Sequence, residues 1–92
     1  MILRNFEIKE RILRMDEFKF EITKNLGLLS ESPKGWLKEV NMVSWNERKP
    51  KLDIREWSPD HQKMGKGVTL NAEEALHLKE IMEQYIAEEL ES

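Results

Sequence analysis

At 92 residues the chain has room for one small domain, and a monomer of that size leaves much apolar surface that a partner subunit would help to cover. The absence of cysteine excludes disulfides and thiolate metal sites. No apolar run approaches the roughly 18 residues of a membrane span, and the start lacks a cleavable apolar leader, so a soluble cytoplasmic protein with no membrane partner is expected. The net charge of -3 hides an asymmetry: residues 71–92 carry -6, residues 34–70 carry +3, and residues 1–33 balance. A chain acidic at one end can still present an anion-binding face from its middle.

Residues 1–14 are basic and fit neither a helical stripe nor strict alternation, so they are treated as an N-terminal appendage to a single domain over residues 15–92. From Phe18 the period becomes two. Phe18, Phe20 and Ile22 point one way, Lys19, Glu21 and Thr23 the other, and Leu26 and Leu28 keep the even parity. Residues 30–35, with Pro33 and Gly35, make a turn. A second strand spans residues 36–45, with Val40 and Met42 on one face and Asn41, Val43 and Trp45 on the other. After a polar hairpin at residues 46–50, a third strand at residues 51–57 turns Leu52 and Ile54 inward and Lys51, Asp53, Arg55 and Trp57 outward. Ser58-Pro59-Asp60 breaks it, and residues 67–70 form a short fourth strand.

The one helix starts at Asn71, a good N-cap, with Glu74 completing a capping-box pattern. Leu78, Ile81, Met82 and Tyr85 form its apolar stripe, extended by Ala75, Leu76 and Ile86, while the rest is Glu-rich. Four strands in short connections and a terminal helix predict an α+β domain: a twisted antiparallel meander with a helix on one face.

Nothing here indicates an enzyme or a cofactor. His61 and His77 lie apart, without the three or four clustered ligands a zinc site wants. Residues 63–67, Lys-Met-Gly-Lys-Gly, lack P-loop spacing. The aromatics and bases of the sheet say more. Trp36 suits core or contact equally. Trp45 and Trp57 have the parity opposite to their strands' core residues, which suits stacking on bases; Arg55 shares Trp57's face. Lys38 on strand two, Arg48, Lys49 and Lys51 around the hairpin, and Lys63 and Lys66 beyond strand three supply cations for phosphates. Each alone is an ordinary solvated cation; beside two outward tryptophans the cluster points to single-stranded nucleic acid. Asp53 and Glu56 weigh against it.

Gly35-Trp36, Val43-Ser44-Trp45, the run from Lys51 to Trp57 with its Asp-Ile-Arg-Glu, and Lys66-Gly67-Val68-Thr69-Leu70-Asn71 together resemble the family of the transcriptional coactivator p-fifteen, or positive cofactor four. The Trp-Ser-Pro-Asp-His turn at 57–61 and the Lys-Met-Gly-Lys-Gly step at 63–67 are closest to its bacterial YdbC-type members. The resemblance implies a curved four-stranded antiparallel sheet followed by a helix. It implies a symmetric homodimer, here through Leu78, Ile81, Met82 and Tyr85, and single-stranded DNA held on the concave sheet with little sequence preference. Arg55 matches the family arginine of strand three, Lys66 the lysine of the Lys-Gly step, and Trp45 the aromatic ending strand two. At Trp57 the family has an aromatic pair, and Ser58 replaces its second ring. The expected function is sequence-independent DNA binding in transcription, replication or repair, with the machinery of those processes as possible company. Single-stranded RNA binding and a protein-interaction module using the same aromatic face are the alternatives, since aromatics and arginine also dominate protein interfaces and stacking does not separate DNA from RNA.

Overall fold

The computed structural model describes residues 19–91; the appendage at residues 1–14 and the expected strand start at Phe18 lie outside the described residues. Strands β1 (Phe20–Glu31), β2 (Leu37–Trp45), β3 (Lys51–Trp57) and β4 (Met64–Leu70) form one open sheet in that order. Every neighbouring pair is antiparallel. Helix α1 (Ala72–Tyr85) follows, and residues Ile86–Leu90 continue it as a π-helical turn closed by Glu91 N–H donating to Ile86 O. The expected α+β sheet-plus-helix architecture is therefore present. β4 starts three residues earlier than its apolar pattern suggests, because Met64 pairs with Trp57 across an irregularity opposite Glu56.

Strands β2 and β3 pair without a slip from Val43–Lys51 to Leu37–Trp57, so side-chain alternation carries across both. Glu39, Asn41, Val43 and Trp45 share a face with Lys51, Asp53, Arg55 and Trp57. The division into two faces is as expected, but the burial is inverted. Asn41, Val43, Asp53 and Trp57 are fully buried, whereas Val40, Met42, Leu52 and Ile54 are only half-buried.

The reason is curvature. Phe20 pairs with Trp45 at one end of β2, and Trp57 pairs with Leu37 at the other. A flat strand would set those ends about 26 Å apart over eight residues. The rings of Phe20 and Trp57 are nevertheless 5.3 Å apart. The sheet curls onto the face that carries them, and the polar face becomes the inside.

Strand β1 follows the curl by abandoning period two. Register shifts fall between Ile22 and Lys24, Asn25 and Gly27, and Leu28 and Ser30. Ile22, Asn25, Leu28 and Glu31 therefore oppose Val43, Asn41, Glu39 and Leu37, while Thr23, Leu26 and Leu29 have no opposite residue. The even parity expected for Leu26 fails at these bulges, each of which bends the strand and spoils its edge for pairing with another chain. The hydroxyl of bulged Thr23 donates to Met42 O.

Helix α1 begins as its sequence dictates. Glu74 N–H donates to Asn71 Oδ1 at 2.7 Å, and Asn71 N–H donates to Glu74 Oε1 at 2.9 Å. The helix touches β3 and β4 and buries none of its residues fully. Ala75, Leu78 and Ile86 are half-buried, while Leu76, Ile81, Met82 and Tyr85 remain exposed. Among the described residues no helix is long and apolar enough to cross a membrane.

Two stability predictions follow from local geometry. Asn71→Ala removes the reciprocal cap and should cost about 1 kcal/mol, read as a lower midpoint in urea unfolding. The β2–β3 hairpin turns through Asn46 and Glu47, both with positive φ (51° and 65°), with Arg48 N–H donating to Trp45 O. Asn suits that backbone and Glu does not. Glu47→Gly should stabilise by about 0.5–1 kcal/mol in the same assay, since the exposed Lys19–Glu47 pair it removes contributes little.

Candidate nucleic-acid interface

The curl gathers rings from three strands and a turn. Phe20 lies 6.3 Å from Trp45 and 5.3 Å from Trp57, and Trp57 lies 6.1 Å from the His61 ring at an interplanar angle of 26°. These are ordinary aromatic separations, and together they make a ladder Trp45–Phe20–Trp57–His61 along the hollow. Trp57, expected to face outward and stack a base, is instead buried inside this ladder with 0% exposure. Its buried indole Nε1 has no hydrogen-bond partner among the described residues.

Asp53 and Arg55 form the centre of the face. The Arg55 side chain donates from Nε and Nη2 to the two Asp53 oxygens at 2.7 and 2.8 Å. Thr69 Oγ1 donates to Asp53 Oδ1, and Arg55 Nη1 donates to Gly65 O. The guanidinium carbon stands 5.0 Å from the centroid of Trp45, a cation over a π face. Arg55 is thus a fixed part of the surface, its side chain only 14% exposed, rather than a loose arm. Gly67, opposite Arg55, makes this fit possible. A Cβ there would come within 2.0 Å of Arg55 Cβ and 2.5 Å of Ile54 O. This gives the Lys-Gly step a physical reason.

Beside this centre opens a cleft of about 460 Å³ lined by Trp45, Arg48, Lys49, Lys51, Arg55, Met64 and Thr69. Five of the nine sequence-predicted contact residues meet here. The hairpin turn delivers Arg48 and Lys49, and Ser44 Oγ donating to Arg48 O ties it to β2. Among the described residues, Arg48, Lys49 and Lys51 have no ion-pair partner.

The other four stand elsewhere. Trp57 lies in the ladder. Lys38 falls on the opposite face with Val40 and Met42, facing Glu56 across the ladder of hydrogen bonds, because unbroken alternation along β2 leaves it no other side. Lys63 and Lys66 are exposed but do not line the cleft. Trp36 is half-buried, its ring 3.5 Å from where a Gly65 Cβ would sit.

The turn after β3 is built tightly. Ser58 N–H donates to Lys63 O, His61 N–H to Ser58 O, and Lys63 N–H to Ser58 Oγ. Ser58 Oγ donates to Asp60 Oδ1 at 2.7 Å. The Gln62 N–H first, and the Ser58 hydroxyl second, hold the Asp60 carboxyl below its ordinary range. This turn puts His61 at a φ of 60° and brings its Nε2 to 3.0 Å from Glu39 Oε2. Glu39 Oε1 accepts from Asn41 Nδ2, and Asn41 Oδ1 accepts from Asn25 Nδ2. A polar chain therefore runs from the turn across β2 to β1. Phe20, Glu39, His61, Met64 and Thr69 were not foreseen as site residues. Phe20 shares a face with Trp45 only once the register is known, and no periodicity reports a turn that folds back over a sheet.

Among the described residues no three His, Cys, Asp or Glu side chains cluster to hold a metal ion. A protein of Treponema pallidum (strain Nichols), described only as uncharacterized, is 51% identical over 67 residues, covering 73% of this chain and 79% of its own length. The family model Transcriptional Coactivator p15 (PC4) matches residues 32–81, from the turn before β2 through the hollow and into α1. Strands β2 to β4 of the curled sheet, the arginine locked over an aromatic and the capped start of the terminal helix thus fall within the matched span, and the chain belongs to the Transcriptional Coactivator p15 (PC4) family.

Proposed function

We propose that this protein binds single-stranded DNA without reading its sequence, as a homodimer, in transcription, replication or repair. The observation that carries this reading is the cleft, in which Trp45, overlain by Arg55, stands beside Arg48, Lys49 and Lys51, three cations with no ion-pair partner among the described residues. Flat rings accept any base and cations accept any phosphate, so such a surface binds strands irrespective of sequence. Membership of a coactivator family supports nucleic-acid binding rather than catalysis, and the Treponema relative supports a bacterial setting.

The homodimer is supported by what the single chain leaves uncovered. Its fully buried apolar residues, among those described, are Val43 and Trp57. Ile81, Met82 and Tyr85 stay 63%, 43% and 46% exposed on the helix. A second copy covering that stripe would bury it at about 25 cal/mol per Å² and keep the Glu-rich side of α1 away from the strand. Ile81→Asp combined with Tyr85→Asp should therefore shift the sedimentation coefficient from dimer to monomer; a wild-type monomer would remove the dimer from the proposal.

Binding is tested by fluorescence anisotropy with labelled oligo-dT, the matching RNA and duplex DNA. Three cations on a single strand predict that log affinity falls with log salt at a slope of about -2 per chain. Trp45→Ala should weaken oligo-dT binding by about 1–3 kcal/mol, similarly for other sequences. Lys38→Ala, on the opposite face, should leave it unchanged. Absence of oligo-dT binding at low salt would overturn the proposal, and stronger binding to RNA would move it to RNA.

A further inference from the structure

We propose that His61, and not Trp57, is the ring on which a base stacks at the β3 end of the hollow, with Trp57 as its backing. This rests on the single-strand-binding reading and assigns a second station to it. A stacking ring must offer one open face and hold its orientation. Trp57 offers no face, being fully buried. The His61 side chain lies on Trp57 at 26° and keeps 35% of its surface exposed. It is the ring at the β3 end of the ladder.

Its orientation is fixed from three directions. Trp57 supports one side of the ring. The turn carries the backbone through a positive φ of 60°, which a histidine adopts only at a cost, and the Ser58 and Asp60 hydrogen bonds hold it there. Glu39 accepts from Nε2 at 3.0 Å and is itself anchored through Asn41 to Asn25. A nearly buried carboxylate on a surface meant for phosphates is otherwise unhelpful; as the clamp of this ring Glu39 has a purpose. Lys63, exposed two residues further along the chain, supplies a cation on the same turn. Ring and cation on one turn match one nucleotide, as Trp45 and its hairpin cations do at the other end.

The test compares oligo-dT with an oligomer of equal phosphate number whose central bases are removed. His61→Asn takes away the ring while suiting the positive φ, so folding is preserved, checked by circular dichroism. His61→Phe keeps a flat ring and loses the Glu39 bond. His61→Asn should weaken oligo-dT binding about tenfold, change binding to the abasic oligomer less than about twofold and leave the salt slope unaltered. His61→Phe should bind oligo-dT within about twofold of wild type. Wild-type affinity in His61→Asn would overturn the inference, as would equal losses on both oligomers. A reduced salt slope unrelieved by Phe would make His61 a phosphate contact and overturn it too. If Trp45→Ala weakens binding while His61→Asn does not, only this inference falls; if wild type binds neither oligomer, the functional reading falls with it.

Discussion

Asp53 holds a carboxylate at the centre of the sheet with no exposure to water. A charge so placed is tolerable only when another charge and further hydrogen bonds meet it, since each buried ion costs several kcal/mol by itself. Arg55 meets it bidentately, and Thr69 adds a third hydrogen bond. Much of the site follows from this pair. To reach Asp53, the Arg55 side chain folds back along its own strand, beside Gly67 on β4, where a Cβ would strike Arg55 Cβ and Ile54 O. Folded back, the guanidinium lies over Trp45, and that contact closes only if the sheet curls. One ion pair therefore ties the Lys-Gly step, the orientation of Trp45 and the hollow together.

The same pair changes the meaning of acidic residues on a face that otherwise suits a polyanion. Asp53 and Glu39 are not loose repulsive charges. One is bound to Arg55 and the other to His61 and Asn41, and each uses its oxygens to hold a ring or cation in place. Among the described residues, the three hairpin cations have no ion-pair partner. An overall charge of -3 is thus compatible with a basic cleft, because the seven glutamates of residues 71–92 lie on and after the helix.

The parts of the fold that depend on neighbouring residues were legible in the sequence. The bounds of β3, the two faces of β2, and the reciprocal cap of Asn71 and Glu74 all rest on periodicity or on spacings within one turn. Which face lies inside was not legible. Val40, Met42, Leu52 and Ile54 look like a core, but curvature is a property of four strands together and buries the opposite side. β1 shows the same limit: its start reads as period two, and only the register reveals three residues spent for every two of β2. The gathering of the hairpin cations and Trp45 around one cleft was legible because they are close in sequence as well as in space. Lys38 was misplaced by counting proximity along the chain without its parity. Phe20 joins the ladder from 37 positions before Trp57, a distance no local pattern spans.

The backbone strain is distributed in a way that supports a working surface. Among the described residues, the non-glycine positions with positive φ are Asn46, Glu47 and His61. Two make the hairpin that aims Arg48 and Lys49, and the third is the ring at the opposite end of the hollow. Such conformations cost about 1–3 kcal/mol where the side chain does not suit them, and they persist when the surroundings over-determine them. Here they do. Asn46 is fixed to Lys19 by its amide N–H and by its side-chain oxygen, and His61 by Glu39, Ser58 and Trp57. A sheet that only needed to close two loops would do so more easily with Asn-Gly turns. Keeping glutamate and histidine at these places makes sense if what the loops carry, and where they aim it, matters more than the ease of turning.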